Sequence, residues 1–123
     1  HGGDVTLEAG RDITANAATQ LVSNWLWRVG RDTEGEFGGS TNAPSAWWVN
    51  AATFMQGAGA LGGGDVDVRA GRNVTSLSTS VAGNGFLDTA TGRVVEHNAG
   101  DLSVQAGGQL AGGVHYAHSG ALE

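Results

Sequence analysis

The sequence predicts an all-β fold in the form of a parallel β-solenoid, from a repeat, its spacing and the glycine content. The clearest repeat is GDVDVRAGRNVT at residues 64–75, in which apolar and polar residues alternate before a glycine corner. Near-copies lie at residues 3–14 and 100–110. Glycine supplies 22 of the 123 residues, yet 40% of the residues are hydrophobic. This composition is typical of a turn-rich β structure and not of a disordered chain.

The repeat is organised around a corner glycine. Gly10, Gly71 and Gly107 each have apolar residues five and three positions before them and three positions after them. The two positions before the corner share one face of a strand, so we expect them to point into a core together with the position after the corner. The residues concerned are Val5, Leu7 and Ile13 in the first copy, Val66, Val68 and Val74 in the second, and Leu102, Val104 and Leu110 in the third.

Weaker corners extend the pattern. They are placed at Gly30, near Ala51 and at Gly92, which gives a period of about 20 residues. This period is too short for a propeller blade or a tetratricopeptide unit, and with alternating strands it favours a parallel solenoid. About five to six coils, stacked roughly 4.8 Å apart, predict a rod of roughly 25–30 Å.

A segment rich in tryptophan and glycine, residues 24–63, interrupts the repeats and is interpreted as an excursion that folds back over one flank. Trp25 and Trp27 stand where the first copy has Val5 and Leu7, which predicts that both tryptophans pack inward.

A second tryptophan pair gives the excursion two possible roles. Trp47 and Trp48 are adjacent, and adjacent residues of a strand face opposite ways, so one of them leaves the interior. The first interpretation is packing against the wall of the solenoid. The second is a contact with a carbohydrate or a protein, in which Glu34 and Asn42 of the acidic loop add hydrogen bonds to hydroxyl groups.

Composition excludes several classes of partner and site. The net charge of −6 argues against nucleic acid and anionic membranes as partners. No apolar run reaches the roughly 18 residues of a transmembrane helix, so no membrane insertion is predicted. The absence of cysteine excludes disulfides and cysteine-based zinc sites.

No catalytic residue, metal site or cofactor is predicted. Asp65 and Asp67 face outward together, but the pattern around them departs from the calcium-binding nonapeptide, so we interpret them as a solvated polar face. A polysaccharide-lyase site built from aspartate and arginine is a weaker alternative, because the arginines recur at the corners, as a structural residue does. The histidines are interpreted as surface residues, with two of them on opposite faces of a strand; they are His1, His97, His115 and His118.

The repeat GDVTLEAGRDI at residues 3–13 and its two copies resemble filamentous-haemagglutinin-like exoproteins of the two-partner secretion pathway of Gram-negative bacteria. The segment from Asn24 to Gly64 looks like one that recurs in that family. The resemblance implies a right-handed β-helix shaft, export through an outer-membrane transporter partner, and adhesion or contact-dependent competition at the cell surface. It supplies no catalytic residues.

Two functions are therefore expected from the sequence. The first is a structural shaft segment of a large secreted adhesin, with residues 1–123 forming one β-helix segment of a longer protein. The second is a module in which the excursion recognises a receptor or glycan on a host or neighbouring cell. Because a cut solenoid exposes unpaired strand edges, end-to-end self-association of this chain is also expected.

Overall fold

The computed structural model describes residues 2–30, 45–88, 90–118 and 122–123; of residues 27–30, 45–48, 86–88, 94 and 96 it describes the backbone alone. Short strands dominate this part of the chain, which confirms the predicted all-β class, and no helix in it has the length and apolar character needed to cross a membrane. Two 3₁₀-helices, η1 (Val22–Asn24) and η2 (Ala51–Thr53), accompany the strands. The strands are β1 (Val5–Ala9), β2 (Ile13–Thr14), β3 (Leu26–Gly30), β4 (Ser45–Val49), β5 (Ala58–Leu61), β6 (Val66–Ala70), β7 (Val74–Thr75), β8 (Thr79–Ala82), β9 (Asn84–Asp88), β10 (Arg93–His97), β11 (Leu102–Ala106), β12 (Leu110–Ala111) and β13 (His115–Ala117).

Nine of these strands form three parallel sheets. The strand orders are β1-β6-β11, β2-β7-β12 and β5-β8-β13, each with its middle strand hydrogen-bonded on both sides. In the first two of these sheets, every pair joins residues that are equivalent in the repeat: Val66, for example, aligns with Val5 on one side and with Leu102 on the other. In these two sheets, equivalent residues are 61 apart between the first and second copies and 36 apart between the second and third.

The three sheets enclose one apolar cluster, called the main cluster. Val68 and Val74 are completely buried in it, and Val66 nearly so, which confirms the predicted inward direction of these three valines. The cluster takes members from all three sheets, and half-buried residues of the outer strands pack against it. Its buried members are Ala60, Val66, Val68, Ala70, Val74, Leu77, Val81 and Leu102.

The corner glycines are required by the close approach of neighbouring strands. A Cβ atom on Gly71 would lie well inside van der Waals distance of the Gly10 carbonyl oxygen, and one on Gly107 would meet the Gly71 carbonyl in the same way. Gly10 itself has nothing within 4 Å of the same position. The glycine is therefore needed where a preceding copy lies against it.

Short polar side chains form hydrogen bonds between neighbouring copies at two places, just before the first strand of each copy and just after its corner glycine. The Asp65 backbone N–H donates to Asp4 Oδ1 at 3.0 Å, and the Asp101 N–H donates to Asp65 Oδ1 at 2.8 Å. Two residues after the corner glycine, the Asn73 N–H donates to Asp12 Oδ1 at 3.1 Å, and the Gln109 N–H donates to Asn73 Oδ1 at 3.0 Å. These two rows, called the aspartate ladder and the asparagine ladder, are a physical reason why Asp and Asn recur at fixed offsets from the glycines.

The weaker corners of the sequence analysis are wrong. Gly30 ends β3, which pairs antiparallel with β4; Ala51 begins a 3₁₀-helix; and Gly92 lies between β9 and β10, which also pair antiparallel. Hairpins combine glycine turns with alternating strands, as the repeat does, so the spacing of glycines and apolar residues does not by itself distinguish a hairpin from a further copy. The parallel sheets of the described residues are three strands deep, not five or six.

The glycine contacts predict opposite outcomes for the same substitution at equivalent corners. Gly71→Ala places a Cβ against the backbone of Gly10 and is expected to lower the free energy of unfolding by about 1–3 kcal/mol, the usual cost of overpacking. Gly10→Ala meets open space and is expected to be neutral or stabilising by about 0.4–1 kcal/mol, because it restricts the unfolded chain. Urea unfolding at micromolar concentration measures both; equal losses would contradict the stacking role.

Candidate functional site: the excursions on the third sheet

In the described residues, the chain leaves the parallel sheets twice, in a long excursion (residues 15–57) and a short excursion (residues 83–99). In the described part of each excursion, two strands pair antiparallel: β3 with β4 in the long excursion, and β9 with β10 in the short one. The strand β5, which lies inside the tryptophan-rich segment of the sequence analysis, belongs to the third parallel sheet instead. The excursions therefore begin and end next to strands of the parallel sheets.

Trp25 anchors the long excursion. Its side chain is 0% exposed and meets the Phe54 ring edge-to-face at 5.0 Å and the Tyr116 ring at 6.2 Å between centroids. These rings form a second cluster with Leu26 and Ala82. Edge-to-face pairs of this geometry add about 0.5–1.5 kcal/mol beyond the burial of their area, so the excursion is held by its aromatic packing.

The second cluster lies on the opposite face of the third sheet from the main cluster. Val81 belongs to the main cluster and its neighbour Ala82 to the second, and adjacent residues of a strand face opposite ways. All four residues of β8 are buried for this reason. Packing of Trp25 is confirmed. Its predicted place alongside Val5 is wrong, because Val5 packs against the main cluster and Trp25 belongs to the second cluster. The third sheet is covered on both faces, so a buried aromatic residue fits either of them.

A polar network closes the base of the long excursion. Gln56 is 2% exposed; its Oε1 accepts from Ser80 Oγ at 3.0 Å, and its Nε2 donates to the Gln20 carbonyl oxygen at 2.7 Å. The Met55 N–H donates to Gln20 Oε1 at 2.8 Å, and Gln20 Nε2 donates to the Thr53 carbonyl oxygen. Both amide side chains thus bridge the two ends of the excursion, and Gln56 ties it to β8.

A hydrogen bond between described residues joins the two excursions. The Val49 N–H, at the end of β4, donates to Asn84 Oδ1, at the start of β9, at 3.1 Å. The two hairpins therefore lie side by side. Sequence analysis missed the second hairpin, although the apolar pairs at residues 86–87 and 94–95 around a Thr-Gly turn are a hairpin signal.

The predicted ligand-binding residues are only partly described. Trp47 and Trp48 are in β4, where they pair with Arg28 and Trp27 of β3, and the structure describes their backbone alone. Glu34 and Asn42 lie outside the described residues. The assignment of these four residues to a ligand site stays a prediction.

Two histidines lie at the edge of the third sheet, where both are half-buried, and they lie on opposite faces as predicted. His115 Nδ1 lies 2.7 Å from Thr79 Oγ1, on the side of the main cluster. His118 stacks parallel to Tyr116, with centroids 6.4 Å apart, on the side of the second cluster. Burial lowers the pKa of both histidines and raises the pKa of Tyr116.

The carboxylates of the second copy have structural partners. Asp65 belongs to the aspartate ladder, and Asp67 forms an ion pair with Arg69 on its own strand. Among the described residues, no group of three or more His, Asp or Glu side chains has an arrangement that could hold a metal ion.

Comparison with known proteins gives no relative for this arrangement. No protein-family model matches the chain, and neither the curated proteins nor the solved structures give a significant match.

The histidines predict a loss of stability in mild acid. Because their folded pKa values lie below the ordinary 6.5, the unfolded chain binds more protons as the pH falls through that value. The free energy of unfolding is therefore expected to fall from pH 7.5 towards pH 5. Urea unfolding across this range should show a weaker pH dependence for His115→Gln/His118→Gln than for the unaltered chain. An unchanged or steeper dependence in the variant would contradict this origin.

Proposed function

We propose that the three parallel sheets are the faces of a right-handed parallel β-helix and that the chain is a shaft segment of a large secreted bacterial adhesin. The observation that carries the proposal is the in-register stacking of equivalent residues, with valine or leucine on valine and glycine on glycine. The strand order supports it, since each stretch of chain supplies one strand to each sheet before the next stretch begins.

The spacing of the copies supports a coil of about 20 residues with inserted excursions. In the last coil, the chain comes back alongside its first strand after 20 residues, because Leu122 forms a parallel bridge with Leu102 (122 − 102 = 20). The first and second coils take 61 and 36 residues. The surplus of each coil falls in its excursion.

The adhesin role rests on the chemistry of the repeat. The GDV…AGRD pattern resembles the shaft repeats of filamentous-haemagglutinin-like exoproteins, whose family implies export through an outer-membrane transporter and a place on the cell surface. A stack of this kind extends by adding coils, and stability accumulates from contacts between neighbours. The chain's role in this proposal is structural, not enzymatic: it carries binding regions away from the cell.

Replacing a shaft segment of a filamentous-haemagglutinin-like exoprotein with this chain tests the proposal. We expect the hybrid to be exported and to display its distal region on the cell, measured with an antibody on intact cells. Val68→Asp buries an unpaired charge in the main cluster and is expected to reduce the displayed amount, whereas Asp67→Thr, which copies Thr6 of the first repeat, is expected to leave it unchanged. Loss of display with the unaltered chain would count against a shaft role.

The second candidate function is recognition of a glycan or receptor by the long excursion. The anchoring of this excursion by Trp25 and Gln56 favours it, since a held hairpin loses less entropy on binding. Trp47, Trp48, Glu34 and Asn42 are the residues proposed to contact the ligand.

A glycan array probed with the chain and with single alanine variants tests recognition. If Trp47 or Trp48 contacts a ligand, its replacement is expected to abolish binding and leave the urea midpoint unchanged. Asp67→Thr, on another sheet, is the matched control and should bind normally. Binding that survives both tryptophan variants, or a loss of stability of about 3–5 kcal/mol in them, would assign the pair to packing.

A further inference from the structure

We propose that Asn84 is a positioning residue, through which the short excursion fixes the hairpin that carries Trp47 and Trp48. The inference rests on the second candidate function, recognition by the long excursion, and it makes that recognition depend on both excursions. Its basis is the hydrogen bond from the Val49 N–H to Asn84 Oδ1 at 3.1 Å, which joins residues 35 apart in the sequence.

The Val49 N–H lies on the edge of β4 that faces away from β3. The Asn50 N–H donates to the Trp25 carbonyl oxygen at 2.8 Å, so these two residues form a hydrogen-bonded pair across the hairpin. Hydrogen-bonded and non-hydrogen-bonded pairs alternate along antiparallel strands. Leu26 and Val49 are therefore a non-hydrogen-bonded pair, and the Val49 N–H points to the other edge. The strand β3 thus offers no acceptor for this donor.

The Asn84 side chain provides the acceptor that a neighbouring strand would provide in a continuous sheet. The strands β4 and β9 lie side by side, but in the described part of the chain they belong to separate two-stranded sheets. The donor also fixes the orientation of the amide, because only the oxygen of an asparagine side chain accepts a hydrogen bond. Asn84 therefore links two hairpins that have no backbone ladder between them in these residues.

Asn84 is itself held close to the third sheet. It lies two residues after the end of β8 and pairs with His97 across the second hairpin. The base of this hairpin is narrow, since a Cβ atom on Gly83 would lie 2.6 Å from the His97 carbonyl oxygen. The Asn84 Cβ also lies near Gly62, where an added Cβ would be 3.4 Å from it. The acceptor thus has a defined position before β4 packs beside it.

The bond at Val49 affects the position of the proposed ligand contacts. Trp47 is two residues before Val49, about 7 Å along the strand, and its backbone groups face the same edge of β4. Loss of the bond would leave Trp25 as an anchor of the long excursion but would let β4 move relative to β9. A ligand would then have to order the hairpin as it binds, which lowers its affinity.

Amide hydrogen exchange, followed by NMR, tests the positioning role without a ligand. Asn84→Ala is expected to speed exchange of the Val49 N–H by about three- to tenfold, the effect of losing one such bond, while the Asn50 N–H keeps its protection. Asn84→Asp keeps an acceptor oxygen and is expected to restore the rate of the unaltered chain. Asn98→Ala is the matched control, because it alters an exposed asparagine at the other end of the short excursion.

Binding by the same variants links the positioning role to recognition. The probe is the oligosaccharide that the unaltered chain binds most strongly on a glycan array, immobilised for affinity measurement. Asn84→Ala is expected to weaken binding by about three- to tenfold, whereas Asn84→Asp and Asn98→Ala should bind as the unaltered chain does. Because coupling is reciprocal, the bound oligosaccharide is also expected to slow exchange of the Val49 N–H in the unaltered chain.

The outcomes separate this inference from the function on which it rests. Absence of oligosaccharide binding by the unaltered chain would overturn recognition, and the exchange rate of Val49 would still decide whether Asn84 holds the hairpin. Unchanged Val49 exchange in Asn84→Ala would overturn the positioning role. Faster exchange with unchanged affinity would overturn its link to recognition alone. Circular dichroism and urea midpoints check that the variants fold, and the exchange measurement on the bound, unaltered chain needs no variant.

Discussion

The constraint on which this structure depends is the close approach of equivalent backbone segments at the corners. At Gly71 and Gly107 the carbonyl of the preceding copy occupies the space of a side chain, so only glycine fits. Neighbouring hydrogen-bonded strands lie about 4.8 Å apart. When the corners keep the same separation, each corner residue lies against the equivalent residue of the neighbouring copy. The aspartate and asparagine ladders follow from it, because a short polar side chain beside the corner reaches the backbone N–H of the next copy.

This constraint explains which parts of the fold could be predicted from the sequence. The corners at Gly10, Gly71 and Gly107 were predicted correctly because the three glycines lie in one stack. The residues around each glycine pack against the equivalent residues of the neighbouring copy, so the same pattern recurs in the sequence. Gly30 and Gly92 were assigned wrongly because a hairpin turn also uses glycine between alternating strands. A single sequence carries the period of its strands but not the direction in which they pair, and direction is what separates a hairpin from a further copy.

The candidate site was harder to predict, because burial on the second face of β8 comes from residues distant in sequence. Trp25 has the spacing of a core residue, yet the rings that bury it are Phe54 and Tyr116. Tyr116 lies on the third sheet, in the copy farthest along the chain, so no local pattern links it to Trp25. The burial of Gln56 has the same origin: its partners are Gln20, 36 residues before it, and Ser80 of β8, 24 residues after it.

Two separate clusters let the excursions vary without disturbing the stack. The main cluster and both ladders use residues of the parallel strands or residues next to them, whereas the long excursion packs on the far side of the third sheet, through the second cluster. Copies separated by 61 and by 36 residues therefore keep one register. Closure of a longer loop costs only about 0.6 kcal/mol for each doubling of its length, which is small against the contacts that a stacked copy makes. The hairpins can thus change in sequence while the glycine, aspartate and valine positions stay fixed by stacking.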